Sequence, residues 1–240
     1  MFMPASRDGR VHAADCRKAD ILFAVDVSAS LAPSKEVLQS YVIPKAKAAI
    51  DKVQELRNDS WSKRKGQGDG DYDIRVAAFS FSDKIVSETL FEYQPVSGGL
   101  VRSFLDELPL KISTYRDPTE LSLPFEHAKK KFNEVKASMS PYDRNQVLVV
   151  LTDALPFSSD VSAPSSNPYG PGNIYKEMDR RKRWMKFSVS ALTSAEVLVI
   201  AVPLGNWRHE EGAMSSIDPL ASEDLSVLYE RIRELLVCFV

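Results

Sequence analysis

The stretch Asp26-Val27-Ser28-Ala29-Ser30 sets an acid and two hydroxyls at alternate positions, directly after the apolar run Ile21, Leu22, Phe23, Ala24, Val25, which Asp20 and Asp26 bound. Oxygen donors at that spacing suit a hard divalent cation. Mg²⁺ keeps an octahedral shell of a few protein oxygens and leaves the rest to water or a ligand. One acid and two serines leave such an ion under-neutralised, so a partner's carboxylate could complete its shell. The same residues also fit a structural role, because Asp and Ser after a strand are ordinary helix caps and Leu31 to Ser34 leads into a helical stretch. On these residues alone both readings stand.

Two other places carry matching chemistry. Thr119 opens a helical stretch after a loop containing Pro and Asp, and Asp153 follows the apolar run Val147 to Leu151. Catalytic patterns are missing by comparison. An aspartyl nucleophile of the phosphatase kind needs a second acid where Ser28 stands. There is no G-x-G-x-x-G, no G-x-x-x-x-G-K and no G-x-S-x-G. His12, His127 and His209 have neither metal nor triad spacing. The expectation is a binding protein and not an enzyme.

The elements that must position these residues alternate along the chain. Ile21–Val25, Val147–Leu151 and Val197–Val202 are short apolar runs that read as strands buried on both faces. Ile74–Ser82 and Ile85–Phe91 read as a hairpin through Ser82-Asp83-Lys84. Helical stripes run over 34–57, with Pro44 expected to bend or break the helix, over 100–108 ended by Pro109, over 119–139, over 174–193 and over 222–237. The pattern predicts a three-layer α/β/α sandwich, doubly wound, whose mainly parallel sheet carries one antiparallel edge strand. Ligands in such sheets lie beyond the carboxyl ends of the strands, where Asp26 and Asp153 fall. Residues 58–73 read as a polar surface loop and 156–172 as a long loop at the rim or an insertion.

With 240 residues, 44% of them hydrophobic, the chain is long enough for one sizeable domain, expected over 18–240 behind a polar leader at 1–17. A net charge of -2 argues against wholesale nucleic-acid binding. No apolar run is long enough to span a bilayer, so membrane attachment is expected only through segments outside this chain. Cys16 and Cys238 lie near opposite ends. They are either unpaired thiols or, since domain termini are often neighbours, a disulfide whose long loop would stabilise by about 5 kcal/mol in the chain-entropy model. Asn58-Asp59-Ser60 fits the N-glycosylation pattern. Basic runs at Lys63–Lys65, at Lys129, Lys130 and Lys131, and at Arg180, Arg181, Lys182 and Arg183 are either solvated faces or polyanion contacts.

Taken together, Asp26, Ser28, Ser30, Thr119 and Asp153 resemble the metal-ion-dependent adhesion site of von Willebrand factor A-type domains, over roughly Ala19 to Val237. Within that family the chain is most similar to the adhesive domains of the apicomplexan thrombospondin-related anonymous protein group. The likeness rests on Y-V-I-P-K-A, T-E-L-S-L-P-F, N-Q-V-L-V-V-L-T-D-A-L-P and the terminal L-L-V-C-F-V. The resemblance implies that Mg²⁺ or Mn²⁺ is held by those five residues. It implies a host-cell or matrix receptor that presents a Glu or Asp carboxylate, while sulfated glycans as further ligands rest on the basic runs. It implies display at the cell surface by way of a secretory organelle, for gliding motility and host-cell invasion. Other uses of the same fold are an intracellular assembly subunit and a metal-independent sulfated-glycan binder. The chain departs from the pattern at Val27, Ala29 and Ala154, where the resembled motifs often have glycine. Ala154 stands where the family changes backbone conformation, and no cysteines remain for the group's second disulfide.

Overall fold

A computed structural model of the chain describes residues 18–62, 73–93, 99–112, 119–138, 144–154, 171–205 and 211–236. Its centre is β1 (Lys18–Asp26), paired in parallel on one side with β2 (Asp73–Phe81) and on the other with β5 (Asn145–Thr152). β5 carries β6 (Val197–Pro203), again parallel. β3 (Ile85–Glu88) and β4 (Glu92–Tyr93) both run antiparallel along β2, so the expected antiparallel edge is present in two pieces. It breaks where Thr89 turns its hydroxyl inward to accept the Ala78 amide at 2.9 Å. The hairpin expected over 85–91 is therefore shorter than its apolar residues suggest.

Side chains alternate across β1, and each set enters a different core. Ile21, Phe23 and Val25 pack with the helices α2 (Ile43–Ser62), α3 (Leu100–Lys111) and α7 (Leu225–Leu236). Leu22 and Ala24 pack with α4 (Leu123–Ser138), α5 (Pro171–Thr193) and α6 (Glu211–Ile217). That alternation makes the three layers, and it is why β1 reads as an unbroken apolar run.

Several expectations are corrected in detail. The helix expected to bend or break at Pro44 is divided beside it, by a widened turn that comes just before the proline. The chain enters through α1 (Lys35–Val37), makes a π-helical turn at Leu38–Val42, and continues as α2 with Pro44 as its second residue. Ile43 donates to the Leu38 carbonyl five residues back, so the wide turn accommodates a residue without an amide proton. Pro109 lies inside α3, which runs two residues further. The polar loop begins later than position 58, because the backbone of α2 continues through Ser62 and Asn58 belongs to its last turns. The helix expected from 119 begins at Leu123. The seven-residue α6 has no counterpart in the sequence reading, being too short to show a period. Cys16, Cys238, Lys63–Lys65 and residues 156–170 of the expected loop 156–172 lie outside the described residues, and its last two residues already belong to α5.

Asp20 does not bound the strand but sits inside it, wholly buried. Its register partner on β2 is Arg75, whose Nε donates to Asp20 Oδ1 at 2.7 Å. Arg144, just before β5, donates its own Nε to the same oxygen at 2.7 Å and its Nη1 to Asp73 at 2.5 Å. The strands thus start at a closed ionic cluster, and their opposite ends are left to the candidate site.

Candidate metal centre

Asp26 is the last residue of β1 and is fully buried. Its Oδ1 accepts the Ser28 amide at 2.9 Å, which folds Val27 to Ser30 back over the strand end. Its Oδ2 accepts the Thr152 hydroxyl at 2.6 Å, from the end of the neighbouring β5. The Ser28 and Ser30 hydroxyls stand 3.1 Å apart. Neither caps the following helix, whose N-cap is Ser34, accepting the Val37 amide at 3.4 Å. Capping therefore does not account for the two serines.

Thr119 reaches the same edge by another route. Glu120 donates its amide to the Ser82 carbonyl at 2.9 Å, beside the end of β2, and Arg181 of α5 donates Nη1 to the Thr119 carbonyl at 3.2 Å. The threonine is wholly buried, and its Oγ1 has no hydrogen-bond partner. Asp153 follows β5 and is 1% exposed. After it, Ala154 holds a left-handed backbone with φ of 57°, buried and fixed by its amide donating to Thr152 Oγ1 at 3.0 Å. On the far side of the loop, Gly205 has φ of 59°, and a Cβ there would stand 3.0 Å from Leu31 Cδ2. Its amide donates to the Tyr41 hydroxyl at 2.8 Å.

The electrostatics at this edge are unbalanced. Burial pushes the Asp26 carboxyl above its ordinary range, and the hydrogen bonds from Ser28 and Thr152 offset only part of that. A buried carboxylate and an unmet buried hydroxyl are each costly unless something positive and oxygen-seeking binds between them. The donor set, two carboxylates and three hydroxyls, consists of hard oxygens of the kind Mg²⁺ and Mn²⁺ take. No group of three His, Cys, Asp or Glu side chains able to hold a metal occurs among the described residues. The residues present fit a hard divalent cation.

Other singled-out residues fall elsewhere. Lys131 pairs with Glu88 at 2.9 Å and with Glu134 at 3.9 Å, and Lys130 pairs with Glu134 at 4.0 Å, while Lys129 is exposed on the same helix. Arg180 and Arg183 are exposed, but Arg181 is turned onto Thr119 and, at 3.5 Å, Glu120. His127 meets Glu88 at 2.8 Å and lies edge-on to Phe79. Sequence reasoning missed Thr152 and Arg181 as holders of Asp26 and Thr119. Thr152 was adjacent to a candidate ligand, which is the one signal it offered.

By sequence, the chain matches no family model. No curated protein matches it either. Its fold is similar to that of an aerotolerance-related membrane protein from Bacteroides fragilis, at 13% identity and a TM-score of 0.54 over 91% of this chain and 98% of that one. A manganese-loaded TRAP protein from Plasmodium vivax gives 15% identity and a TM-score of 0.52 over 93% and 75%. The pilus adhesin SpaC of Lactobacillus rhamnosus gives 11% and 0.52, over 91% of this chain but 30% of its own. At such identities the likeness concerns the fold, which is of the von Willebrand factor A type.

Proposed function

We propose that this chain is a ligand-binding domain of an adhesive surface protein, with a divalent cation held by Asp26, Ser28, Ser30, Thr119 and Asp153. The reading is carried by the buried, partnerless hydroxyl of Thr119 at the edge where the Asp26 carboxylate is also buried. When bound, Mg²⁺ or Mn²⁺ supplies positive charge and a coordination position that a Glu or Asp of a receptor can fill. The chain's own residues do the positioning. Thr152 and the Ser28 amide fix the Asp26 carboxylate, and Arg181 fixes the backbone of Thr119. Binding, and no catalysis, is assigned to this edge.

The finer setting is an apicomplexan surface adhesin that engages a host-cell or matrix receptor during gliding and invasion. It is supported by the motifs Y-V-I-P-K-A and N-Q-V-L-V-V-L-T-D-A-L-P. A metal-independent sulfated-glycan surface has less support, since Lys130, Lys131 and Arg181 face acidic or backbone partners within the chain.

Calorimetric titration with Mn²⁺ tests the reading. The parent should take up one ion, Asp26→Ala none, and Thr119→Ala one at lower affinity, with all three equally folded by circular dichroism. A folded parent that takes up no ion, or an Asp26→Ala variant that binds as the parent does, would overturn it.

A further inference from the structure

The outer side of α5 carries Trp184 and Phe187, 53% and 66% exposed, with ring centres 5.8 Å apart and planes inclined by 28°. The other exposed large apolar residues among those described, Leu90, Leu100, Leu110 and Leu220, lie singly at loops and helix ends. Single leucines are routine on a protein surface, whereas a stacked aromatic pair is not. Helical spacing puts Arg180 and Arg183 on the side of this pair, and Met185, Val189 and Leu192 on the opposite side, in the core.

The pair is held in place. The Trp184 indole N–H donates to Glu126 Oε1 at 2.9 Å, and that oxygen also accepts the Ser188 hydroxyl at 3.2 Å. Arg183 lies along the helix, donating Nε to the Asp179 carbonyl at 3.4 Å. The face begins beside the metal edge, since Arg181, one turn before Trp184, reaches the Thr119 carbonyl.

We propose that this side of α5 is a second docking surface, and that its occupant is an acidic segment of a partner protein presenting apolar side chains between its carboxylates. Trp and Arg are the residues that most often dominate protein interfaces, because a ring held in advance gives large contact area at little entropic cost. Guanidinium groups beside it donate to carboxylates in bidentate fashion. A continuous anionic lipid surface fits less well. The indole N–H, the group by which such a ring meets headgroups, is already engaged by Glu126. A sulfated chain would use the arginines and leave the apolar pair uncovered.

A displayed library of random dodecapeptides, selected on the parent and counter-selected on Trp184→Ser/Phe187→Ser, tests this surface directly. Enriched peptides should carry Asp or Glu around apolar residues. They should lose about tenfold or more in affinity for that double variant and for Arg180→Glu/Arg183→Glu, both folded like the parent by circular dichroism. Binding should persist in EDTA and in Asp26→Ala, which separates this surface from the metal centre whatever the fate of the latter. No peptide that distinguishes the variants would overturn the proposal. So would phosphatidylserine-containing vesicles or heparin binding the parent and losing that binding with the same substitutions.

Discussion

The Thr152 hydroxyl bridges two loops: it donates to Asp26 Oδ2 at 2.6 Å and accepts the Ala154 amide at 3.0 Å. The end of β1 and the turn after β5 thus share one oxygen. Thr152→Val keeps the shape and removes both bonds. Mn²⁺ affinity is expected to fall ten- to hundredfold, the range for groups that orient a metal ligand, and stability by about 1–3 kcal/mol. Calorimetric titration and urea unfolding read the two effects, and unchanged affinity would show that Asp26 is held without Thr152.

Ala154 is a buried residue at positive φ. For Ala154→Gly, relief of about 1 kcal/mol of backbone strain is offset by a lost methyl contact and a freer unfolded chain, leaving stability within about 1 kcal/mol. Ala154→Val adds a β-branched side chain to a left-handed, closed position and should cost about 2–4 kcal/mol. Thermal melts of both variants check the pair. A valine tolerated as easily as glycine would mean the turn is not confined.

His127 gives the domain a pH dependence away from the metal edge. Burial holds its imidazole below the usual value near 6.5, against the pull of Glu88 and with the help of Lys131 and Lys130. A depressed histidine is more readily protonated in the unfolded chain, so its contribution is present above about pH 6.5 and is lost as pH falls below that value. Glu88 also pays a burial penalty, but Lys131 and His127 bring it below the ordinary carboxylate range. Its contribution holds above the usual glutamate value and disappears in more acid solution. Melting temperature should therefore fall from pH 7.5 to 5.5 in the parent, and less so in His127→Gln. Parallel curves would exclude His127 as the titrating group.

Arg144→Ala opens the ionic cluster where the strands begin. Asp20 keeps Arg75 but loses a buried donor, and Asp73 loses its bond from Nη1. The expected cost is about 3 kcal/mol in urea unfolding. Mn²⁺ affinity should not change, because Asp20 and Asp26 lie six residues apart on one extended strand, about 20 Å. A drop in affinity would show that the two ends of the sheet communicate.

What could be read from the sequence follows from burial. Ile21–Val25, Val147–Leu151 and Val197–Val202 are covered on both faces, so composition alone marks them, and their order gives a largely parallel sheet. The candidate ligands were legible because they directly follow such runs. Asp20 was misread as a boundary, since an acid beside an apolar run ordinarily faces water. Only the register that sets Arg75 opposite it, and the fold that brings Arg144 across, supply its partners. Thr152, Arg181 and Tyr41 act through single hydrogen bonds to distant loops, which no local periodicity encodes.

The π-helical turn at Leu38–Val42 holds one residue more than the α-helical course would use, and successive residues of an α-helix differ by about 100° in direction. The helix therefore changes phase at this turn, much as an inserted tooth shifts a gear. Leu38 and Val42 still point into the core, while Tyr41 between them is aimed at the Gly205 amide. Deleting a single residue here would restore the ordinary phase and swing that hydroxyl off the loop after β6. The spacing of one helix thus decides whether it meets a loop far away in the chain.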